Sequence, residues 1–486
     1  MATETAQPTV GLRSERGAVL GALMLSTGLV ALDTTIIATA VLSITESLGG
    51  FTQFPWLFSL YLLAQAVTVP IYGKLADTFG RKPVLMFGIA VFALGSLMCG
   101  LATSMTALIV FRAVQGIGAG AILPMTMTVA GDIYTLAERA KAQGYLASVW
   151  AMSAVAGPLL GGLFADYVGW RWIFLINLPL AAVAAWMLLR GFQERAQRRG
   201  QRIDYLGAAL LALGAGAIVL GLLEGGQAWA WGSPVSIAIF TGGVLTLLLF
   251  ALVERRAANP ILPLWIFTRR VVVVSSTVSL LIGALLLGLT TYVPTFTQGV
   301  LGTGALVAGL TVGTLTLGWP LAASLAGKVY LRIGFRGSAL IGSGLGVLGA
   351  VSTLFIDEQS SPWRIAASCF VIGAGMGLVA TPTLIAAQTS AAWSERGVVT
   401  SANMFARALG SALGVAVFGA LVNARVGASD TPDPGLLADG VHLVFVSVTI
   451  AVAVMFAVAT LMPGQRVDGT ARGAEIVRDA PALPLE

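Results

Sequence analysis

Charge is what this chain has least of: Asp, Glu, Lys and Arg make up 10% of its 486 residues, against roughly 25% in a soluble domain. A water-soluble globule has to cover itself with a polar skin. With 57% apolar residues and a mean hydropathy of +0.89, the solvent around this chain is lipid. Cysteine is almost as scarce. Cys99 and Cys369 both fall within apolar runs, which excludes a disulfide framework and a zinc-binding spacing. The single histidine, His442, excludes a histidine-based site, and no metal is expected. The G-x-x-x-x-G-K-[ST] pattern is missing, which argues against ATP as the direct energy source. Clusters of carboxylates or histidines suited to catalysis are missing too, and the soluble segments are too short for a sensory domain. The chain therefore reads as neither an enzyme nor a receptor. The net charge of +6 does not indicate nucleic acid, because the basic residues lie in short clusters between apolar runs, as in the loops of membrane proteins.

A bilayer core of about 30 Å needs roughly 20 apolar residues per helix. Spans that meet this test are 17–42, 55–73, 84–103, 106–131, 142–165, 172–189 and 205–223, then 235–253, 271–296, 306–327, 338–356, 365–388, 398–421 and 441–462. That makes fourteen. The run from Arg16 to Ala40 is too long for a signal-peptide core and carries Asp33, so it is expected to remain as the first helix. With the N-terminus inside, 23 of the 28 basic residues fall in inner segments; only Arg171, Arg364 and Arg425 fall outside, while Arg112 and Arg407 lie within spans. A miscounted helix would scramble this bias downstream, yet it persists to the end, so both termini are expected in the cytoplasm. Residues 464–486 form a polar tail.

The chain repeats itself. Gly73-Lys74 with Gly80 recurs as Gly327-Lys328 with Gly334, a lag of 254. Gly116, Gly118 and Gly120 recur as Gly373, Gly375 and Gly377, Glu138-Arg139 as Glu395-Arg396, and Gly157 with Gly162 as Gly414 with Gly419, all at a lag of 257. The fold class is therefore an all-α membrane protein of two six-helix bundles, 1–190 and 264–463, with a two-helix insert over 191–263. A substrate site between the halves is the corresponding expectation. Asp77, Arg112 and Pro158 have Leu331, Cys369 and Val415 at the equivalent positions, so coupling chemistry is expected in the first half.

Four stretches carry the candidate chemistry. GKLADTFGRK, Gly73 to Lys82, follows the second span: Gly73 and Gly80 allow a tight reversal, Arg81 and Lys82 hold the loop inside, and Asp77 is placed to meet the positive end of a helix from the other half. ALDTTIIATAVL surrounds Asp33, LIVFRAVQGIGAGAILP surrounds Arg112 and Gln115, and AVAGPLLGG contains Gly157, Pro158, Gly161 and Gly162. A carboxylate in mid-helix costs about 2.5–3.5 kcal/mol on insertion scales, so Asp33 should face protein or a water-filled cavity. It can be a proton carrier, a fixed counter-ion or a partner for a cationic substrate. Arg112 can bind carbonyls or Gln115 to hold its helix, or act as a fixed charge beside Asp33. Pro158 kinks its helix, and Gly157 with Gly161 permits close helix approach.

The loop from Gly73 to Lys82 resembles the signature loop of the major facilitator superfamily. The other three stretches resemble the first-helix, fourth-helix and fifth-helix motifs of its fourteen-helix drug:proton antiporter branch, with Ala38 standing where that first-helix motif usually has Asn. The resemblance spans essentially the whole membrane part. It implies a proton-coupled multidrug exporter of hydrophobic or cationic compounds working by alternating access, with proton coupling at Asp33 and Arg112 and a conformational latch in the Gly73–Lys82 loop. A dedicated exporter of one lipid, siderophore or antibiotic is the alternative on the same fold. The energy source would be the proton gradient, without a cofactor. Partners would be a small-molecule substrate, protons and the lipid of a bacterial inner membrane, with no nucleic acid, and the chain is expected to be a monomer. Trp56, Phe58, Tyr61, Gln115, Trp150, Met152, Tyr292, Phe296 and Trp319 are candidates for a substrate cavity. Arg407 is read as structural, and Glu224 as a loop charge.

Overall fold

The computed structural model describes residues 11–12, 14, 16–134, 136–192, 194, 204–257, 260, 264–391, 396–427 and 432–464, and the regular elements among them are helices. The first half runs α1 (Gly17–Ile36), a 3₁₀ turn (Ile37–Ala40), α2 (Val41–Leu48), α3 (Phe54–Phe79), α4 (Arg81–Gly100), α5 (Met105–Ile133), α6 (Leu136–Leu163), α7 (Trp172–Leu175) and α8 (Asn177–Gly191). The insert is α9 (Tyr205–Glu224) and α10 (Pro234–Glu254). The second half runs α11 (Arg270–Gly299), α12 (Ala305–Thr353), α13 (Pro362–Thr389), α14 (Arg396–Val426) and α15 (Pro434–Thr460).

Among the described residues, thirteen helical stretches are long and apolar enough to cross a membrane. One of them, α12, has 49 residues, about twice what a bilayer requires. It breaks at Gly334 (φ 80°, ψ 168°), so its two arms are separate spans and the total is fourteen. Gly80, its counterpart 254 residues earlier, has nearly the same backbone conformation (φ 102°, ψ 159°) between α3 and α4. Only glycine enters this region readily. The repeat thus survives as one reversal used twice.

The glycines of α5 and α13 repeat as contacts. Gly116 lies against the backbone of Tyr61, Gly118 against Gly88 and Phe92, and Gly120 against the Gln65 carbonyl. Gly373 lies against Leu315, Gly375 against Gly342 and Gly346, and Gly377 against the Trp319 carbonyl. Each partner pair differs by 254 residues, so the same three helices meet at the same points in both halves.

The first span is one helical stretch, Gly17–Leu48, that tightens into the 3₁₀ turn Ile37–Ala40 four residues after Asp33. Side chains around the turn bond to other helices, Thr35 Oγ1 to the Ser153 carbonyl (3.0 Å) and Thr39 Oγ1 to the Pro158 carbonyl (3.3 Å). Gln298 Nε2, from the second half, donates to the Thr39 carbonyl (3.1 Å).

The halves meet where α6 packs on α12 and α3 packs on α14. Among the described residues, the hydrogen bonds between them gather at the end of the molecule opposite the start of α1. Asn423 Nδ2 donates to the Thr52 carbonyl (2.8 Å) and Ser59 Oγ to the Ala412 carbonyl (3.1 Å). In the insert, α9 packs against both α3 and α14, while α10 packs mainly on α9 and leaves Ile237, Leu245, Leu248 and Leu252 exposed. An apolar face of that kind is what lipid covers.

Candidate functional site

Asp33 sits in the last turn of α1, completely buried inside the first half, and every helix around it contributes a polar group. Arg112 Nη1 of α5 donates to its Oδ2 at 2.5 Å. Its Oδ1 accepts from Gln115 Nε2 (2.7 Å) and from Asn177 Nδ2 of α8 (3.0 Å). Both amides also reach Ser96 Oγ of α4, at 2.6 and 3.3 Å. The guanidinium is held from its other sides. Nη1 also donates to Gln115 Oε1 (2.7 Å), Nε donates to the Leu57 carbonyl of α3 (3.2 Å), and Cζ lies 3.8 Å from the centre of the Tyr61 ring.

Ions this deeply buried are tolerable only when paired and fully hydrogen-bonded. Here the two ions are paired and both carboxylate oxygens are hydrogen-bonded, with one carboxylate, one guanidinium and two amides joining α1, α3, α4, α5 and α8. The structure therefore brings together Asp33, Arg112, Gln115 and Tyr61 of the sequence candidates. It adds Ser96 and Asn177, which sequence reasoning missed. The signal for Asn177 was a lone amide within the apolar run 172–189.

The Gly73–Lys82 loop is fastened by a residue outside its motif. The Glu194 carboxylate accepts from the backbone amides of Arg81 (2.6 Å) and Lys82 (3.0 Å), capping α4. Lys82 Nζ donates to the carbonyls of Leu189 (3.1 Å) and Phe192 (2.5 Å). An anion at the positive end of a helix is stabilising, and here it comes from the segment that opens the insert rather than from the second half. The Asp77 side chain lies outside the described residues.

The glycines of α6 divide between two neighbours. Gly157 and Gly161 press on the first span at Thr35, Ile36 and Thr39, whereas Gly162 presses on Ala305 and Leu306 at the start of α12. Gly309 of α12 in turn abuts the Pro158 carbonyl. Past Leu163 the helix widens into a π-turn, Phe164–Val168, which presents Asp166 to the other half. Its two carboxylate oxygens accept from the Ala305 (3.3 Å) and Leu306 (3.2 Å) amides, capping α12 across the seam.

The Major Facilitator Superfamily profile matches residues 23–415. The chain belongs to this superfamily. It is 34% identical over 417 residues to the multidrug transporter protein MdtP of Bacillus subtilis (strain 168), covering 86% of this chain and 77% of that one. Multidrug resistance protein 3 of the same strain is 33% identical over 406 residues, covering 84% and 79%. Among solved structures, a bacterial homologue of the human lysosomal transporter Spinster, inward-facing and unoccupied, superposes with a TM-score of 0.66 at 16% identity. It covers 93% of this chain and 98% of that one, and bears on the fold alone.

Against this transporter fold, the remaining aromatic candidates separate. Trp56 Nε1 donates to Glu224 Oε1 (2.9 Å), so Glu224 is not a bare loop charge but ties the insert to α3. Tyr292 packs between Phe54 and Phe418, and Phe296 packs on Phe445. Phe58 is buried, Trp150 is half-buried and Met152 is exposed. Trp319 alone of these lines a cavity of about 240 Å³ in the second half, with Ser279, Ile282, Thr383, Asn403 and Arg407 among its neighbours. Arg407 Cζ stands 4.8 Å from the centre of the Trp319 ring. A cation–π contact stabilises by about 0.5–2 kcal/mol, less than the roughly 2.5–3.5 kcal/mol that a mid-membrane arginine costs on insertion scales.

Proposed function

We propose that this major facilitator protein is a proton-coupled exporter of hydrophobic or cationic compounds. It works by alternating access in a bacterial inner membrane, with both termini cytoplasmic. The observation that carries the reading is the sealed Asp33 cluster. A lone carboxylate there balances a guanidinium and orders two amides from different helices, so a proton on Asp33 changes the charge balance of five helices at once.

The path from that cluster to the seam is short. Thr35 and Thr39 follow Asp33 on the same span and bond to the backbone of α6 at Ser153 and Pro158. The same stretch of α6 meets α12 at Gly309, Ala305 and Leu306. Protonation loosens the hold of Arg112 on α1, and the 3₁₀ turn at Ile37–Ala40 lets the outer part of the span move with α6. Export as the direction of transport is supported by the resistance in the name of multidrug resistance protein 3, since uptake of a drug would not protect a cell, and cytoplasmic termini by the distribution of basic residues.

Asp33→Asn in proteoliposomes is the test. One charge moved through the full membrane potential supplies about 2.3 kcal/mol per 100 mV, and an amide cannot take up and release the proton that draws on it. The variant should still bind substrate but fail to concentrate an electroneutral substrate against its gradient. Undiminished uphill transport would place the proton elsewhere.

A further inference from the structure

The molecule holds two arginines within its spans and treats them in opposite ways. Arg112 is held by a carboxylate, an amide oxygen and a backbone carbonyl. Arg407 is half-buried on α14, about 16 Å from the start of that helix at 1.5 Å per residue. Its guanidinium has neither an ion-pair partner nor a hydrogen-bond acceptor among the described residues.

Its polar neighbours are already committed. Ser279 Oγ donates to Asn403 Oδ1 (2.8 Å), Asn403 Nδ2 donates to the carbonyl (3.1 Å) and hydroxyl (2.9 Å) of Ser275, and Thr383 Oγ1 donates to the Val379 carbonyl (2.8 Å). The ring of Trp319 covers one face of the cation but accepts none of its edge N–H groups in the usual sense. Those donors adjoin a cavity of about 240 Å³, which suits one ring system with its acidic group rather than a whole drug-sized molecule, whose sites run about 300–1,000 Å³. Three of the four helices around it, α11, α12 and α14, are also helices that touch the first half.

We infer that this cavity is a binding subsite for the acidic group of an aromatic or otherwise apolar organic anion, with the Arg407 guanidinium as the recognising group. The fork of N–H donors takes a carboxylate in two parallel bonds, while Ile282, Leu384 and the edge of Trp319 supply apolar wall. This rests on the exporter reading and extends its substrate class to hydrophobic acids, since an unpaired cation disfavours a second positive charge beside it.

Binding of 1-naphthoate, its neutral amide 1-naphthamide and the cation 1-naphthylmethylammonium is measured by calorimetry on the purified full chain in detergent, with no pH gradient. The wild-type chain should prefer the naphthoate over the amide by at least about tenfold, as a charge-assisted bidentate pair supplies, and should bind the ammonium more weakly than either. Arg407→Gln should erase the preference. Asn403→Asp, nearly isosteric and one turn before Arg407, should erase it as well by giving the guanidinium an internal partner; it carries the test should Arg407→Gln fail to fold. A wild-type chain that does not distinguish naphthoate from naphthamide, or a preference surviving either folded variant, overturns the inference. Loss of gradient-driven export with this preference intact would count against the exporter reading and leave the subsite standing.

Discussion

Removing one member of the Asp33–Arg112 pair should damage the protein more than removing both. In Asp33→Asn the new amide can keep its oxygen toward Gln115 and Asn177, but its NH₂ then faces the donor Arg112 Nη1, which stood 2.5 Å from the lost oxygen. The guanidinium keeps the Leu57 carbonyl, Gln115 Oε1 and the Tyr61 ring, yet stays charged in an apolar bundle. Breaking a buried pair costs about 3–5 kcal/mol; with those three contacts retained, the lower end, about 3 kcal/mol, applies. Arg112→Gln leaves the carboxylate with two amide donors and no counter-charge, and a similar figure follows. The double variant carries no net buried charge at either position and two amides that can bond to each other. Its cost should fall below that of either single variant, which requires a coupling greater than about 3 kcal/mol. The assay is thermal unfolding in detergent followed by tryptophan fluorescence, with the four proteins at equal concentration. The double variant should melt above each single variant. A double variant melting at or below the weaker single would refute charge compensation as the reason the cluster is stable.

Three further outcomes follow from the seams and turns. Asp166→Asn should weaken the cap on α12 by about 1 kcal/mol, shifting the closed population of the α6–α12 seam about fivefold; spin-label distances across that seam would show it, and an unchanged distribution would remove Asp166 from gating. Gly80→Ala forces a side chain into φ 102° and within 2.7 Å of Glu194, costing about 1–3 kcal/mol, whereas Gly73→Ala, with nothing within 4 Å of the added carbon, should be close to neutral; equal melting temperatures for the two would contradict the turn geometry. Arg199→Cys and Asp433→Cys should label with impermeant reagents from opposite faces of the membrane, and labelling from one face would overturn the helix parity.

Much of the architecture was legible because apolar length and loop charge follow from bilayer thickness and not from tertiary detail. The glycine repeat was legible for a related reason: a helix crossing without room for a Cβ leaves glycine as the only choice, so Gly116 and Gly373 kept their identity while their neighbours changed. The Asp33–Arg112–Gln115 cluster could be anticipated since a mid-membrane charge requires a partner. Asn177 and Ser96 could not be assigned to it, because an uncharged polar residue in a span has several inexpensive alternatives. Glu194 and Asp166 were illegible as caps. Each lies in a non-α-helical stretch, and its partner helix starts 113 residues earlier or 139 residues later. The 3₁₀ turn after Asp33 was hidden for another reason: Ile37–Ala40 contains neither glycine nor proline, and the turn coincides with contacts to other helices.

The two halves share a backbone plan but not an electrostatic one, and that difference fits a transporter better than a symmetric arrangement would. By the 257-residue lag, Arg112 corresponds to Cys369, and Arg407 corresponds to Trp150. In the first half the cation is matched by a carboxylate within the fold, so its environment changes when that carboxylate gains or loses a proton. In the second half the cation has no ion-pair partner among the described residues, so on the same reading its environment changes when something enters the cavity. On the proposed reading one half responds to a proton and the other to a solute, and the α6–α12 and α3–α14 seams are the surfaces through which each would bias the other. Coupling then needs no direct contact between proton and solute. It needs only that both events favour the same rearrangement of those seams, which is a condition on differential free energy rather than on proximity.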